Sequence, residues 1–169
     1  MYDFQFPDES LTTWTMIRQT WAAINKVAET KLSKINSTPE KVAVLWACRD
    51  YPSILTPAEI SRLVFRENQT VAGLLNRMEK EGLVKRIPKR KGHPFTEIKL
   101  TPKGEQATAP GIEIMKRVVT ELLADMPKAK QEQLRELLLP LRDKALDQLH
   151  IEPTRPRGYE SGEKVPVNW

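Results

Sequence analysis

Between Leu55 and Ile87 the chain reads LTPAEISRLVFRENQTVAGLLNRMEKEGLVKRI, and its two short apolar stripes, separated by a polar break, require two small helices that share one core. Thr56 can cap a helix, proline is tolerated in the first turn at position 57, and Glu59 stands three residues after the cap, where a capping box places it. Ile60, Leu63 and Val64 form the first stripe. After Arg66, Glu67 and Asn68 the second stripe runs through Val71, Leu74, Leu75 and Met78. Gly82 ends the second helix, and Leu83 to Ile87 is predicted as a strand carrying Lys85 and Arg86.

The segment from Pro88 to Pro94, PKRKGHP, then reads as a basic turn, and Phe95 to Leu100 as a second strand with Thr96, Ile98 and Leu100 on one face. Helix, tight turn, helix and hairpin is the order of a winged helix-turn-helix, whose second helix lies in the DNA major groove. The fold class is therefore mainly α with a small β-hairpin wing. On the second helix Asn68, Gln69, Asn76 and Arg77 are the candidate base readers, with Thr70, Ala72 and Gly73 on the same approach. Lys89, Arg90, Lys91 and His93 at the wing tip are the candidates for phosphate or minor-groove contact. Gly73 inside a helix costs about 1 kcal/mol relative to alanine, so a close approach to DNA is one reason for it and an unselected position is the other.

Charge follows the same segment. Residues 56–104 hold 11 Lys or Arg against 5 Asp or Glu, a balance of +6, and since the chain totals +5 the remainder carries −1. The basic surplus is concentrated on the predicted reading head, which suits a polyanionic partner.

On either side of residues 38–104 lie long helical patterns. Trp14, Ile17, Trp21, Ile24, Ala28, Leu32 and Ile35 recur at steps of three and four over residues 10–35, and Ser37, Thr38, Pro39 and Glu40 start a second helix with Val42, Leu45 and Trp46 inward, ending near Tyr51. Thr101 and Pro102 start the helix after the wing. Within residues 105–150, one stripe includes Met115, Val118 and Leu122 and another includes Leu134, Leu138 and Leu141; Pro127 divides them and Pro140 should kink the second. A single chain leaves much of these stripes uncovered, so a homodimer formed through residues 10–35 and 105–150 is expected. Residues 152–169, rich in proline and glycine, read as an extended or disordered tail in which Arg155 and Arg157 are candidates for DNA and Tyr159 and Trp169 for docking.

Other classes find little support. The length of 169 residues with 40% apolar content fits a single domain with a real core. No signal peptide or run of ~18 apolar residues is present, and the expected location is the cytoplasm. One cysteine leaves no disulfide framework or cysteine-based zinc site, and His93 and His150 have no metal-ligand spacing between them. No cofactor and no catalytic constellation is expected. Cys48, mid-helix beside Trp46 and Ala47, reads as a small buried residue rather than a redox sensor.

The segments TPAEISRLV, NQTVAGLLNRMEKEGLVKR and LTPKGE resemble the MarR family of bacterial transcription regulators, and the likeness in architecture covers roughly residues 10 to 150. Its sharpest elements are Thr70-Val71, Leu74-Leu75, Arg77, Glu79, Gly82-Leu83-Val84 and Leu100-Thr101-x-x-Gly104. The resemblance implies a homodimer on a pseudo-palindromic operator, released in many members by a small ligand or an oxidation event. This chain departs from the family in having Lys91-Gly92-His93 where an Asp-x-Arg wing element is usual, which leaves Arg90 or Lys91 to take the arginine's place, and Ala72 and Gly73 where longer polar residues are usual.

In such a dimer the terminal helices and the reading heads enclose a cleft. Trp14, Trp21, Trp46 and Tyr51 are candidates to hold a small aromatic or halogenated effector there, and dimer core is the alternative use of these rings. The function expected is that of a sequence-specific DNA-binding regulator, a repressor released by a small aromatic ligand. A winged-helix architectural module that binds protein or RNA without ligand control is the alternative.

Overall fold

A computed structural model of the protein describes residues 6–89 and 95–151. Six helices and one hairpin follow in the order α1 (Glu9–Ser33), α2 (Pro39–Asp50), α3 (Pro57–Val64), α4 (Asn68–Lys80), β1 (Val84–Ile87), β2 (Glu97–Leu100), α5 (Pro102–Leu123) and α6 (Lys128–Gln148). The fold is mainly α with a two-stranded antiparallel wing.

Local hydrogen bonds explain most of the boundaries. Thr38, Thr56 and Thr101 each turn a hydroxyl oxygen into the first turn that follows, accepting from the N–H groups of Lys41, Glu59 and Gly104, and each is followed by a proline that needs no partner. The carboxylate of Glu59 accepts from the Tyr51 hydroxyl at 2.9 Å and from Arg62 at 2.8 Å. Helix α4 ends in a Schellman turn: Gly82 adopts φ +71°, its N–H reaches the carbonyl of Glu79, and the N–H of Leu83 reaches that of Met78. The same pair of bonds closes α3, with Phe65 at φ 50° in the left-handed position.

Helices α2, α3 and α4 pack with the hairpin around a core that includes Leu45, Ile60, Val71, Leu75, Met78 and Ile98. The N–H of Ile98 donates to the carbonyl of Leu55 at 2.8 Å, so the chain before α3 lies along the free edge of β2. A second, smaller core of Leu32, Val42 and Ile112 joins α1, α2 and α5, and Trp46 packs against both. Close passage of α5 over α2 depends on Gly111, where a Cβ would stand 2.8 Å from a Val42 methyl.

One inward position differs from the sequence pattern. Leu63 is 43% exposed, and Ser61 is buried instead, its hydroxyl donating to the carbonyl of Pro57 at 3.0 Å. Helix α3 is only eight residues long and turns the edge formed by Ile60, Ser61 and Val64 toward the core, which puts Leu63 on its flank. The second strand starts at Glu97, two residues later than expected. Pro140 and Pro110 both lie within continuous helices, α6 and α5.

Coverage of the outer helices is incomplete. Ala28 and Leu32 near the end of α1 are buried, whereas Trp14 and Trp21 are 60% and 64% exposed. Helix α6 has no buried residue at all, and Leu137 is 67% exposed.

Candidate nucleic-acid interface

Helix α4 buries Val71, Leu74, Leu75 and Met78, so its opposite side is presented to solvent. Asn68, Gln69, Thr70, Ala72, Asn76 and Arg77 are exposed there and Gly73 is half-buried. The helix N-terminus is open, because its cap residue Glu67 makes no side-chain bond to the first turn. Unbonded N–H groups and the positive end of the helix dipole make such a terminus attractive to an anion. Around it Arg66 pairs with Glu40 of α2 at 3.7 Å, while Lys41 pairs with Glu81 at 2.7 Å and fixes the far end of α4 against α2.

Space on the exposed side is set by Gly73. A Cβ added there would meet only the Arg77 guanidinium, at 3.9 Å, so the Arg77 side chain lies back over the glycine.

The wing strand β1 is tied to α4 through Arg86. Its backbone N–H donates to Glu79 Oε1 at 3.1 Å, its Nη1 donates to Glu79 Oε2, and its Nη2 donates to Asn76 Oδ1 at 2.7 Å. Sequence reasoning nominated Asn76 as a base reader but gave Arg86 no role. Seven residues separate Arg86 from Glu79 and ten from Asn76, and no periodicity signals such a pairing.

Across the hairpin Lys85 stands opposite Lys99, and both are exposed. Like charges at opposed positions repel. Lys99 has a counterion in Glu97 at 3.3 Å. Lys89 is exposed at the base of the wing, whereas the other wing-tip candidates, Arg90, Lys91 and His93, lie outside the described residues, as do the tail residues Arg155, Arg157, Tyr159 and Trp169.

The four aromatic residues named for an effector occupy different settings. Trp14 and Trp21 are exposed along α1, and Trp46 is wedged between the two cores. Tyr51 lines an open cavity of about 610 Å³ together with Cys48, Leu55, Lys99 and Glu105, and no tryptophan borders it. Burial pushes the Cys48 thiol up to about 12, which keeps it protonated at neutral pH. Among the described residues no group of three or more side chains is placed to hold a metal, and no helix is long and apolar enough to cross a membrane.

No protein-family model and no curated protein sequence matches the chain. Among solved structures, the ligand-free organohalide-sensing transcriptional regulator RdhR is 26% identical, with a TM-score of 0.73 over 90% of this chain and 96% of that one. The chain has the fold of the MarR-family transcription regulators. RdhR solved with 2,4-dichlorophenol is 25% identical at a TM-score of 0.73, covering 92% of this chain and 98% of that one. The DNA complex of MepR from Staphylococcus aureus is 20% identical at a TM-score of 0.72, covering 82% and 99%.

The MarR-like motif residues have physical reasons to be what they are. Gly82 supplies the left-handed turn that sends the chain from α4 into β1. Gly104 lies so close to β1 that a Cβ would stand 2.0 Å from the carbonyl oxygen of Leu83. Thr101 between them donates its hydroxyl to the Gly82 carbonyl while capping α5. These bonds lock the reading unit of the MarR fold to its long helix.

Proposed function

We propose that the protein is a DNA-binding transcription regulator rather than an enzyme, acting in the cytoplasm as a homodimer that sets α4 of each copy into the major groove of one half of a pseudo-palindromic operator. The observation that carries this reading is the exposed polar side of α4, with its open N-terminus, beside a basic hairpin on a MarR-type frame. Gln69, Asn76 and Arg77 meet base edges; Lys89, with Arg90, Lys91 and His93, contacts the backbone or minor groove at the flank. Exposed Trp14, Trp21 and Leu137 support a twofold interface through α1, α5 and α6.

The regulator acts as a repressor released by a small aromatic or halogenated ligand. Support comes from the neighbour RdhR, described as organohalide-sensing and solved with 2,4-dichlorophenol, and from the exposed indoles of α1, which suit such a ligand. Release requires the ligand to favour the conformation that does not read DNA, and a hundredfold loss of operator affinity corresponds to about 2.8 kcal/mol of coupling.

Selection from a random duplex pool, followed by titration of the selected site against bulk DNA, tests the function. A palindromic consensus bound at least a thousandfold above bulk DNA is the expected result. Equal affinity for all duplexes would replace this reading with that of an architectural module. Tryptophan fluorescence titrated with 2,4-dichlorophenol, with and without the selected site, tests the ligand: quenching coupled to loss of DNA is expected, and undiminished DNA binding would remove the effector from the account.

A further inference from the structure

Asn76 is exposed on the proposed reading side of α4, yet one of its two amide atoms is already committed. Arg86 Nη2 donates to Asn76 Oδ1 at 2.7 Å. An arginine side chain has only donors and stays protonated, so the amide oxygen, not the nitrogen, faces it. The guanidinium is itself fixed by the Glu79 carboxylate, which takes its Nη1 and also the backbone N–H of residue 86. Two elements, α4 and β1, therefore determine which way the Asn76 amide points.

This orientation bears on what Asn76 can read. Bidentate pairing of asparagine with adenine needs oxygen and nitrogen presented together to the base edge, the oxygen accepting from N6 and the nitrogen donating to N7. With Oδ1 held by Arg86 the amide is not free to flip: Nδ2 is its open donor, and Oδ1 keeps one lone pair. Nδ2 matches N7 of either purine, O6 of guanine or O4 of thymine, whereas cytosine presents only its N4 donor; adenine's second bond needs the remaining Oδ1 lone pair to face N6.

We propose that Arg86 is a specificity-determining positioning residue: it pins the Asn76 amide and so sets which base α4 prefers at the base pair beneath residue 76, without touching DNA itself. The proposal rests on the DNA-reading role argued above. Arg86→Lys is the informative variant, because a lysine can keep the ion pair with Glu79 but has no fork with which to hold Asn76 as well.

The experiment is selection from a random duplex pool with the full-length wild type, Arg86→Lys, Asn76→Ala and the double variant, with thermal melting of each. The wild type is expected to show a defined base preference at one base pair of each half-site. Arg86→Lys should change the preferred base's share there at least fivefold while affinity for bulk DNA and the melting temperature stay at wild-type values. Asn76→Ala should erase preference at that same pair, and adding Arg86→Lys to it should change nothing further. An unchanged preference in Arg86→Lys, or an equal change when residue 76 is already alanine, overturns the proposal. If Arg86→Lys does not fold, Asn76→Asp decides: it keeps an oxygen for Arg86, loses the donor and should turn the preference toward cytosine and adenine, whose amino groups need an acceptor. A wild-type preference retained by Asn76→Asp would refute the role of Arg86. A wild type that enriches no sequence would instead refute the DNA-reading function, and this proposal with it.

Discussion

Two glycines in this chain answer to opposite physics. At Gly73 an added methyl meets nothing nearer than the Arg77 guanidinium at 3.9 Å, so only the helix-interior penalty of glycine remains. Gly73→Ala should therefore stabilise the protein by up to about 1 kcal/mol in urea denaturation. At Gly104 the same methyl would lie 2.0 Å from the backbone oxygen of Leu83, which cannot move without opening β1. Gly104→Ala should cost about 1–3 kcal/mol by the same measurement, and a neutral result would mean that the α5 junction is looser than its geometry.

Cys48 makes a second residue-scale prediction. Its thiol titrates near 9.0 when freely solvated and is pushed up to about 12 by burial, so the folded chain holds the proton over a range in which the unfolded chain releases it. The sign follows: stability from this group is intact below pH 9.0 and is lost as pH rises toward 12. Cys48→Ala should flatten that alkaline decline. Native protein should also react with a disulfide reagent more slowly at pH 8 than urea-unfolded protein, and equal rates would contradict the half-buried, protonated thiol.

At the scale of elements, the turn between α3 and α4 closes through Phe65 in a left-handed conformation that side chains other than glycine and asparagine seldom adopt. Phe65 is 59% exposed, so little packing offsets the strain. Phe65→Asn should raise the melting temperature, by up to about 1 kcal/mol in stability, and a marked drop would show that the ring holds the two helices together.

The starts of α2, α3 and α5 were legible in the sequence because each depends on a threonine, a proline and a backbone N–H within four residues. The buried face of α4 was legible because a thirteen-residue amphipathic helix carries its period in plain view. The rotation of α3 that exposes Leu63 was not, since eight residues hold too few turns for the apolar pattern to fix which edge faces inward. Nor was the cluster of Arg86, Glu79 and Asn76 legible, because it joins two elements across a turn and leaves no mark in spacing or composition. The same distance from local signals separates Trp46 and Tyr51, named together from sequence, into an inter-core wedge and a cavity wall.

For the whole molecule, the most exposed large apolar side chains, Leu137, Trp21 and Trp14, lie on α6 and α1. Light scattering at micromolar concentration should give about twice 19.4 kDa, and replacing Leu137 and Leu141 of α6 with glutamate should return the mass to a single chain. A wild-type mass of one chain would remove the proposed twofold arrangement. Only one residue, Thr101, stands between the end of β2 and the start of α5, and its hydroxyl is bonded back to Gly82. There is no slack at that joint. In the proposed dimer each unit of α4 and wing turns with its long helix as the jaw of a caliper turns with its arm, so the gap between the jaws, and the number of base pairs it would straddle, is set where the arms meet.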